Sequence, residues 1–403
     1  MPGEPFLMYP LSVVKEGDQV IIGRPDIDSF GVFSAEAAAV VARLARGESL
    51  ATVGAWYEAE YGEPADLADF VATLTELRFV RPSHESAGSA GTPAPSPVRW
   101  RRLGGAAFSP VTLLVYAAVV GMAVYLMAVV PELRPAPAKV FFSRSILAVL
   151  AVVMGAQLTG VAWHESFHVL AGRRLGLPSR LSIGTRLYYV VFQTTLAGLM
   201  GVPARRRILP LCAGLIADAL YVSVLIGLAD AGRAAGWAPW IGRTAVGLAY
   251  LTILRMLWQF MVFMETDMQH VLAAALRCPD LHRMTRQYLR NRYRRLIGRV
   301  WQAEDESGWS ARDMAIVRRY APFVVAGSTV LLGSAAYGTI PVLAGLFTRM
   351  YHGVVAGSLG SPWFWDSSAA GLLILAELAL AAWLRIGGRR RHREPPAGRR
   401  MAS

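Results

Sequence analysis

The chain has 403 residues, 54% of them hydrophobic, with a mean hydropathy of +0.38 and a formal net charge of +13. That charge is not a nucleic-acid signature. Residues 1–85 carry 6 Lys/Arg against 14 Asp/Glu, while the other 318 carry 35 against 14, alongside every apolar stretch long enough for a bilayer. The only cysteines, Cys212 and Cys278, lie in or just after apolar runs, which excludes a disulfide framework and a thiolate metal cluster.

In chain order, residues 1–82 read as a small α+β unit. The opening "MPGEPFLMYPLSVVKEGD" has no basic start followed by an apolar core, so it is not a secretory signal and the chain is expected to begin in the cytoplasm. Runs of strand-forming residues around "SVV", "QVIIG" and "SFGVF" precede three helices expected at 34–46, 49–61 and 64–80, with Ser34 and Ser49 as caps. Phe70, Val71, Leu74, Leu77 and Phe79 are expected to pack the last helix over the sheet in a winged-helix-like arrangement. Residues 83–98, "SHESAGSAGTPAPSPV", are a Ser/Gly/Pro/Ala linker with nothing to bury.

The remainder reads as a mainly α, polytopic helical membrane protein. Four spans are expected at 108–130, 146–170, 208–229 and 243–264 within a core of 99–276. A basic segment at 277–320 follows, then two more spans at 321–346 and 366–385 within 321–386, and a basic tail at 387–403. The apolar stretch 187–202 is too short to cross. With the N-terminus inside, segments on the inner side hold 28 of the 41 Lys/Arg and the outer loops hold six, so the positive-inside rule puts both termini in the cytoplasm. Aromatic clusters "WAPW" and "PWFWD" mark the outer interface. The usage of 39 Arg to 2 Lys, with abundant Ala, points to a GC-rich bacterium and hence to a bacterial inner membrane.

One apolar run carries costly groups. "GVAWHESFHVLAG", residues 160–172, contains H-E-x-x-H, which on a helix places His164 and His168 on one face where two imidazoles reach one zinc ion and Glu165 reaches a water on it. A pair of histidines satisfied inside a helix bundle is the plainer reading, but three adjacent ionisable groups at membrane depth call for a function. A catalytic zinc takes three protein ligands, so a third is needed. The run "FMVFMETDMQHVL" offers Glu265, Asp267 and His270. His164 lies 20 residues after Arg144 and Asp267 lies 24 after Arg243 on helices of the same direction, which puts them within about 6 Å in depth. Asp267 is the expected third ligand, with His270 as the alternative on roughly the same face, and Glu265 pointing elsewhere.

These motifs resemble the site-2 protease family of intramembrane zinc metalloproteases. In that family H-E-x-x-H lies in one span, and a later span carries an Asn, a Pro three residues on, and a Leu-Asp-Gly whose Asp binds zinc. Here Asp267 matches the Asp, while Gln259, Val262 and Met268 replace the Asn, the Pro and the final Gly, departures that bear on the family's helix break more than on metal binding. A Gly with an Asn four residues later in an intervening span is similar to Gly214 and Asp218 in "GLIAD". The resemblance implies substrate-positioning roles for Asp218 and Gln259, though Asp218 or Glu377 pairing with the intramembrane Arg255 is an equal reading. It also implies a sheet edge, placed at 181–195 in "RLSIGTRLYYVVFQTT", that receives an extended substrate by strand addition.

The order of elements in 5–82, with "GVFSAEAAAVVARLARGESLATV" and "FVATLTELRFV", resembles the peptide-binding domains of the pyrroloquinoline-quinone biosynthesis protein D family, which capture leader segments of ribosomally made peptides. An acidic winged-helix-like domain repels phosphates, so no nucleic acid is expected as a partner. The eleven arginines of 277–320 suit a helix lying on anionic membrane lipids, or docking of the acidic front domain or an acidic precursor peptide. Together the resemblances imply a zinc metallopeptidase that cuts a captured precursor peptide at the cytoplasmic membrane face. The alternatives are a non-proteolytic receptor or export accessory for a modified peptide, and a regulated protease of a membrane-anchored signalling protein.

Overall fold

The computed structural model describes residues 7–17, 19–64, 66–81, 98–186, 189–264, 266–278, 280–306, 309–334, 340–355 and 357–391. The chain opens with an antiparallel sheet of β1 (Ser12–Glu16), β2 (Gln19–Arg24) and β3 (Ser29–Ser34) in that order, with Val14 opposite Ile21 and Ile21 opposite Val32. Three helices cover it: α1 (Ala35–Ala45), α2 (Leu50–Tyr61) and α3 (Leu67–Glu76). Ser34 and Ser49 do cap α1 and α2, accepting from the Ala37 and Thr52 amides, and Asp66 caps α3. Their apolar faces meet the sheet in a core of Val20, Ile22, Phe33, Val40, Val41, Leu44, Val53, Leu74 and Phe79. Phe70 and Leu77 pack partly against it, whereas Val71 is not among the core residues. The third helix stops four residues short of its expected end, because Arg78 takes a positive φ and turns the chain so that Val80 bridges Met8.

The rest is helical apart from one hairpin. In order come α4 (Arg101–Ala107), α5 (Pro110–Val129), α6 (Ile146–Arg174), the antiparallel pair β4 (Ser179–Arg186) and β5 (Tyr189–Leu196), α7 (Ala204–Ala234) and α8 (Pro239–Gln259). They are followed by α9 (Asp267–Ala275), α10 (Leu281–Leu296), α11 (Ala311–Ser334), α12 (Ile340–Val355) and α13 (Pro362–Arg391). Among the described residues five helices are long and apolar enough to cross a membrane: Pro110–Val129, Ile146–Arg174, Ala204–Ala234, Ala311–Gly333 and Pro362–Leu380. Two expected spans are redrawn. The one at 243–264 ends as a helix at Gln259 and is not among the five, since Arg243 and Arg255 dilute its hydropathy. The one at 321–346 falls across α11 and α12, with Pro341 in the first turn of α12, where a proline costs no hydrogen bond.

α7 sits centrally, and small residues bring its neighbours close. Ala229, Ala245 and Ala249 are buried with Val222, Leu225, Ile226 and Val246 between α7 and α8, and α5 adds Ala123. On the other flank Ala171, Ala213 and Ala217 pack with Phe108, Phe167 and Leu220 between α4, α6 and α7. Asp366 near the start of α13 accepts from the Ile146 amide at 2.8 Å and the Leu147 amide at 3.3 Å, capping α6 from another helix. A carboxylate at a helix N-terminus is favoured by its free amides and dipole, and this one pins α13 beside α6.

The N-terminal unit docks on the helical part through polar contacts. Glu16 at the end of β1 meets Arg207 of α7 at 2.7 Å, both side chains about 5% exposed or less. Arg207 also donates to the Met200 carbonyl at 2.8 Å. Asp28 accepts from the Gly198 amide at 2.7 Å, and Gln19 donates to Asp313 at the start of α11 at 2.5 Å. Removing one member of a buried ion pair strands the other, at a cost of about 3–5 kcal/mol, whereas replacing both by apolar groups is close to neutral. Glu16→Ala is therefore expected to expose β1 and the first turn of α7 to hydrogen exchange, and Glu16→Leu with Arg207→Leu to restore most of the protection.

Candidate metal centre

The spacing of four residues puts His164 and His168 on the face of α6 that meets α7, and both are buried. The close approach depends on Gly214. A Cβ there would stand 2.3 Å from His164 Nε2 and 2.5 Å from His168 Nε2, so any side chain would occupy the place of the imidazoles.

Each ring is oriented by its other nitrogen. His164 Nδ1 donates to Asp218 Oδ2 at 3.0 Å, and His168 Nδ1 donates to the Pro210 carbonyl at 2.7 Å. Carboxylate and carbonyl oxygens only accept, so with a cation at the centre each neutral ring would hold its proton on Nδ1 and turn a lone pair inward at Nε2. The two Nε2 atoms lie 3.2 Å apart. Asp267 Oδ2 completes a triangle, 3.1 Å from His164 Nε2 and 3.3 Å from His168 Nε2. A tetrahedral cation held at about 2.0–2.1 Å has ligand-to-ligand edges of about 3.3–3.4 Å, so the donor set fits one first-row metal ion with a fourth position left over. His164, His168 and Asp267 are the group of potential metal ligands among the described residues.

Asp267 reaches the triangle because the chain breaks. α8 ends at Gln259, the backbone turns at 260–264, and Asp267 opens α9 behind its cap Thr266. Gln259 builds the break from both ends: its side-chain oxygen accepts from the Asp267 amide at 3.2 Å and its carbonyl accepts from the Thr266 hydroxyl at 2.8 Å. The Tyr320 hydroxyl of α11 donates to the Val262 carbonyl, and the Phe263 ring fills the space that a side chain at Gly327 would need. The helix break is thus present without the proline that Val262 replaces.

Other expected residues fall differently. His270 is exposed on α9 and lies outside the triangle, which removes it as the alternative ligand; Glu265 lies outside the described residues. Asp218 is fully buried with both oxygens engaged, Oδ2 by His164 and Oδ1 by Arg255 Nη2 at 2.6 Å, so it faces the ring rather than an open pocket. Arg255 also donates to Gln157 at 2.7 Å, while a Cβ at Gly160 would come within 3.0 Å of the guanidinium. Of the two carboxylates weighed as its partner, Arg255 pairs with Asp218 and not with Glu377.

Glu165 follows His164 in α6 and is half-buried, and its carboxylate makes no hydrogen bond among the described residues. Its backbone carbonyl accepts from the Thr194 hydroxyl of β5 at 3.1 Å, which ties the hairpin to the site. The segment expected as a sheet edge at 181–195 lies in this hairpin. Sequence reasoning missed the Pro210 carbonyl, Tyr320 and Gln157. Only Gln157 left a signal, an amide in an apolar run two turns before His164. The first two act through or on backbone atoms.

Gly214→Ala is expected to abolish metal loading measured on the purified protein. Asp218→Ala, which frees the His164 ring, should weaken metal affinity by about 10–100-fold in a chelator competition. In comparisons with known families, curated proteins and solved structures, nothing matches this chain.

Proposed function

We propose that the chain is a membrane-embedded zinc metallopeptidase, similar to site-2 proteases, that hydrolyses a peptide bond in a precursor peptide captured by its N-terminal domain. The observation that carries this reading is the triangle of two Nε2 atoms and one carboxylate oxygen with edges of 3.1, 3.2 and 3.3 Å, with Glu165 adjoining His164 in the H-E-x-x-H order. A donor set of two imidazoles and one carboxylate suits zinc with an open position.

Bound zinc supplies Lewis acidity toward water and toward the scissile carbonyl. The remaining steps belong to the protein. Glu165 takes the proton of the attacking water and returns it to the leaving amine. Asp218, held by Arg255, and the Pro210 carbonyl keep both imidazoles turned with their lone pairs inward. The β4–β5 hairpin, tied to Glu165 through Thr194, offers an edge on which an extended peptide pairs by backbone hydrogen bonds. A helical substrate has its carbonyls engaged, so strand pairing also exposes the bond to be cut.

The proposed setting is a bacterial inner membrane with both termini in the cytoplasm. α7 and α11 both begin where the N-terminal domain docks, by Arg207 and Asp313. α8 must then carry the chain back to that side, which supports six crossings with α8 shielded by its neighbours. A non-proteolytic peptide receptor would have no use for a glutamate at this position of H-E-x-x-H.

The test is zinc content and cleavage by the purified full chain, with a panel of synthetic ribosomal-type precursor peptides as substrates. Wild type should hold one zinc per chain and cut. Glu165→Gln should keep zinc and lose about 10²–10⁴-fold in rate, and Asp267→Ala should lose at least about 10-fold in zinc affinity. Binding of a peptide without zinc or cleavage would replace the protease by a receptor.

A further inference from the structure

Beyond the metal centre the structure builds a finger whose tip is left uncovered. α10 is 16 residues long, about 24 Å. The chain turns at Gly298 and returns antiparallel along one face of the helix. The return is fastened rung by rung: Gln287 to the Asp305 carbonyl at 3.0 Å, the Asn291 side chain to the Glu304 carbonyl at 2.9 Å and to Glu306 at 2.6 Å, and Arg294 to the Gln302 carbonyl at 2.6 Å. The base packs Leu281 and Met284 against Val317, Tyr320 and Val324 of α11. Since α11 is one of the helices apolar enough to cross a membrane, the finger starts where a span begins.

The end of α10 carries Tyr293, Leu296 and Ile297, and the start of the return carries Val300 and Trp301. Tyr293, Leu296 and Ile297 are spaced i, i+3 and i+4 as on one helix face, and Val300 and Trp301 follow the turn at Gly298 and cluster at the same tip. Leu296 is 85% exposed and Trp301 81%, and the other three are exposed as well. A soluble surface gains nothing from such a cluster at a projecting tip. Its charges are sorted with equal clarity. The nearby acids are engaged by one group of arginines, Glu304 by Arg290 and Arg294 and Glu306 by Arg295. Arg286, Arg292 and Arg299 are exposed and form no ion pair among the described residues. An apolar wedge with an aromatic at its end, ringed by unpaired guanidinium groups, has the chemistry of a segment that lies in the interface of a bilayer rich in anionic lipid.

We propose that the α10 finger lies along the membrane and inserts Leu296, Ile297, Val300 and Trp301 among acyl chains, while Arg292 and Arg299 engage lipid phosphates. The finger is thereby a second membrane anchor, independent of the metal centre and of the catalytic reading. It brings the base of α11, which holds the Val262–Phe263 turn ahead of Asp267, to a set depth.

The test uses the full chain in lipid nanodiscs of phosphatidylcholine alone or mixed with phosphatidylglycerol, read by hydrogen exchange of the amides 292–303. Exchange should slow in the anionic discs. Arg292→Gln and Arg299→Gln should each give back about fivefold of that protection. Leu296→Ser with Trp301→Ser should remove it altogether, with exchange in α10 below Asn291 unchanged because the tip lies outside every core. Equal exchange in both bilayers would overturn the proposal. So would protection that rises with protein concentration instead of anionic lipid, since that would make the tip a contact between copies of the chain.

Discussion

Two imidazole nitrogens and one carboxylate oxygen face one another across about 3 Å in the middle of this protein, and most of its architecture serves to keep them there. At such distances they repel unless a proton or a metal cation lies between them, and low dielectric makes that repulsion expensive. Each group is held from behind. Asp218 and the Pro210 carbonyl turn the rings, Gln259 positions the Asp267 backbone, and Arg255 offsets the charge of Asp218 where water cannot.

That arrangement needs helices closer together than ordinary side chains permit. Gly214 clears the space into which both imidazoles project, Gly160 clears a lane for the Arg255 guanidinium, and alanines line the α7 contacts around them. Small residues do two jobs here. They supply packing between apolar helices, where burial of hydrocarbon against lipid gives little, and they let polar groups on different helices touch. The same positions are intolerant of enlargement, because the obstruction would be an imidazole or a guanidinium and not the end of a flexible chain.

The N-terminal unit is joined to the elements that hold the centre. Glu16 binds the first turn of α7, one turn ahead of Pro210, and Gln19 binds the start of α11, whose Tyr320 holds the turn before Asp267. A buried ion pair adds little net stability, but it rejects misaligned docking because either charge alone is costly. A domain that carries net negative charge is thereby seated by Arg207 and, within the basic stretch 277–320, by Asp313 with Arg312 close to Gly17.

Much of the centre was legible in the sequence because its signals are local. H-E-x-x-H needs only the helical period to place His164 and His168 together, and depth counted along two parallel helices singled out Asp267 across a separation of 103 residues. The acidic front unit, the serine caps and the apolar helices followed from composition and spacing in the same way. What the tertiary structure decided were relations between distant backbones. The end of α8 at Gln259 depends on hydrogen bonds to Thr266 and Asp267, and no proline announced it. The choice of Asp267 over His270 turns on which side of α9 faces α6, and the orientation of His168 rests on a carbonyl, a group every residue carries. A sequence reports which side chains are available and at what period. Which of them meet is set by how closely helices can approach, and that is a property of the packed whole.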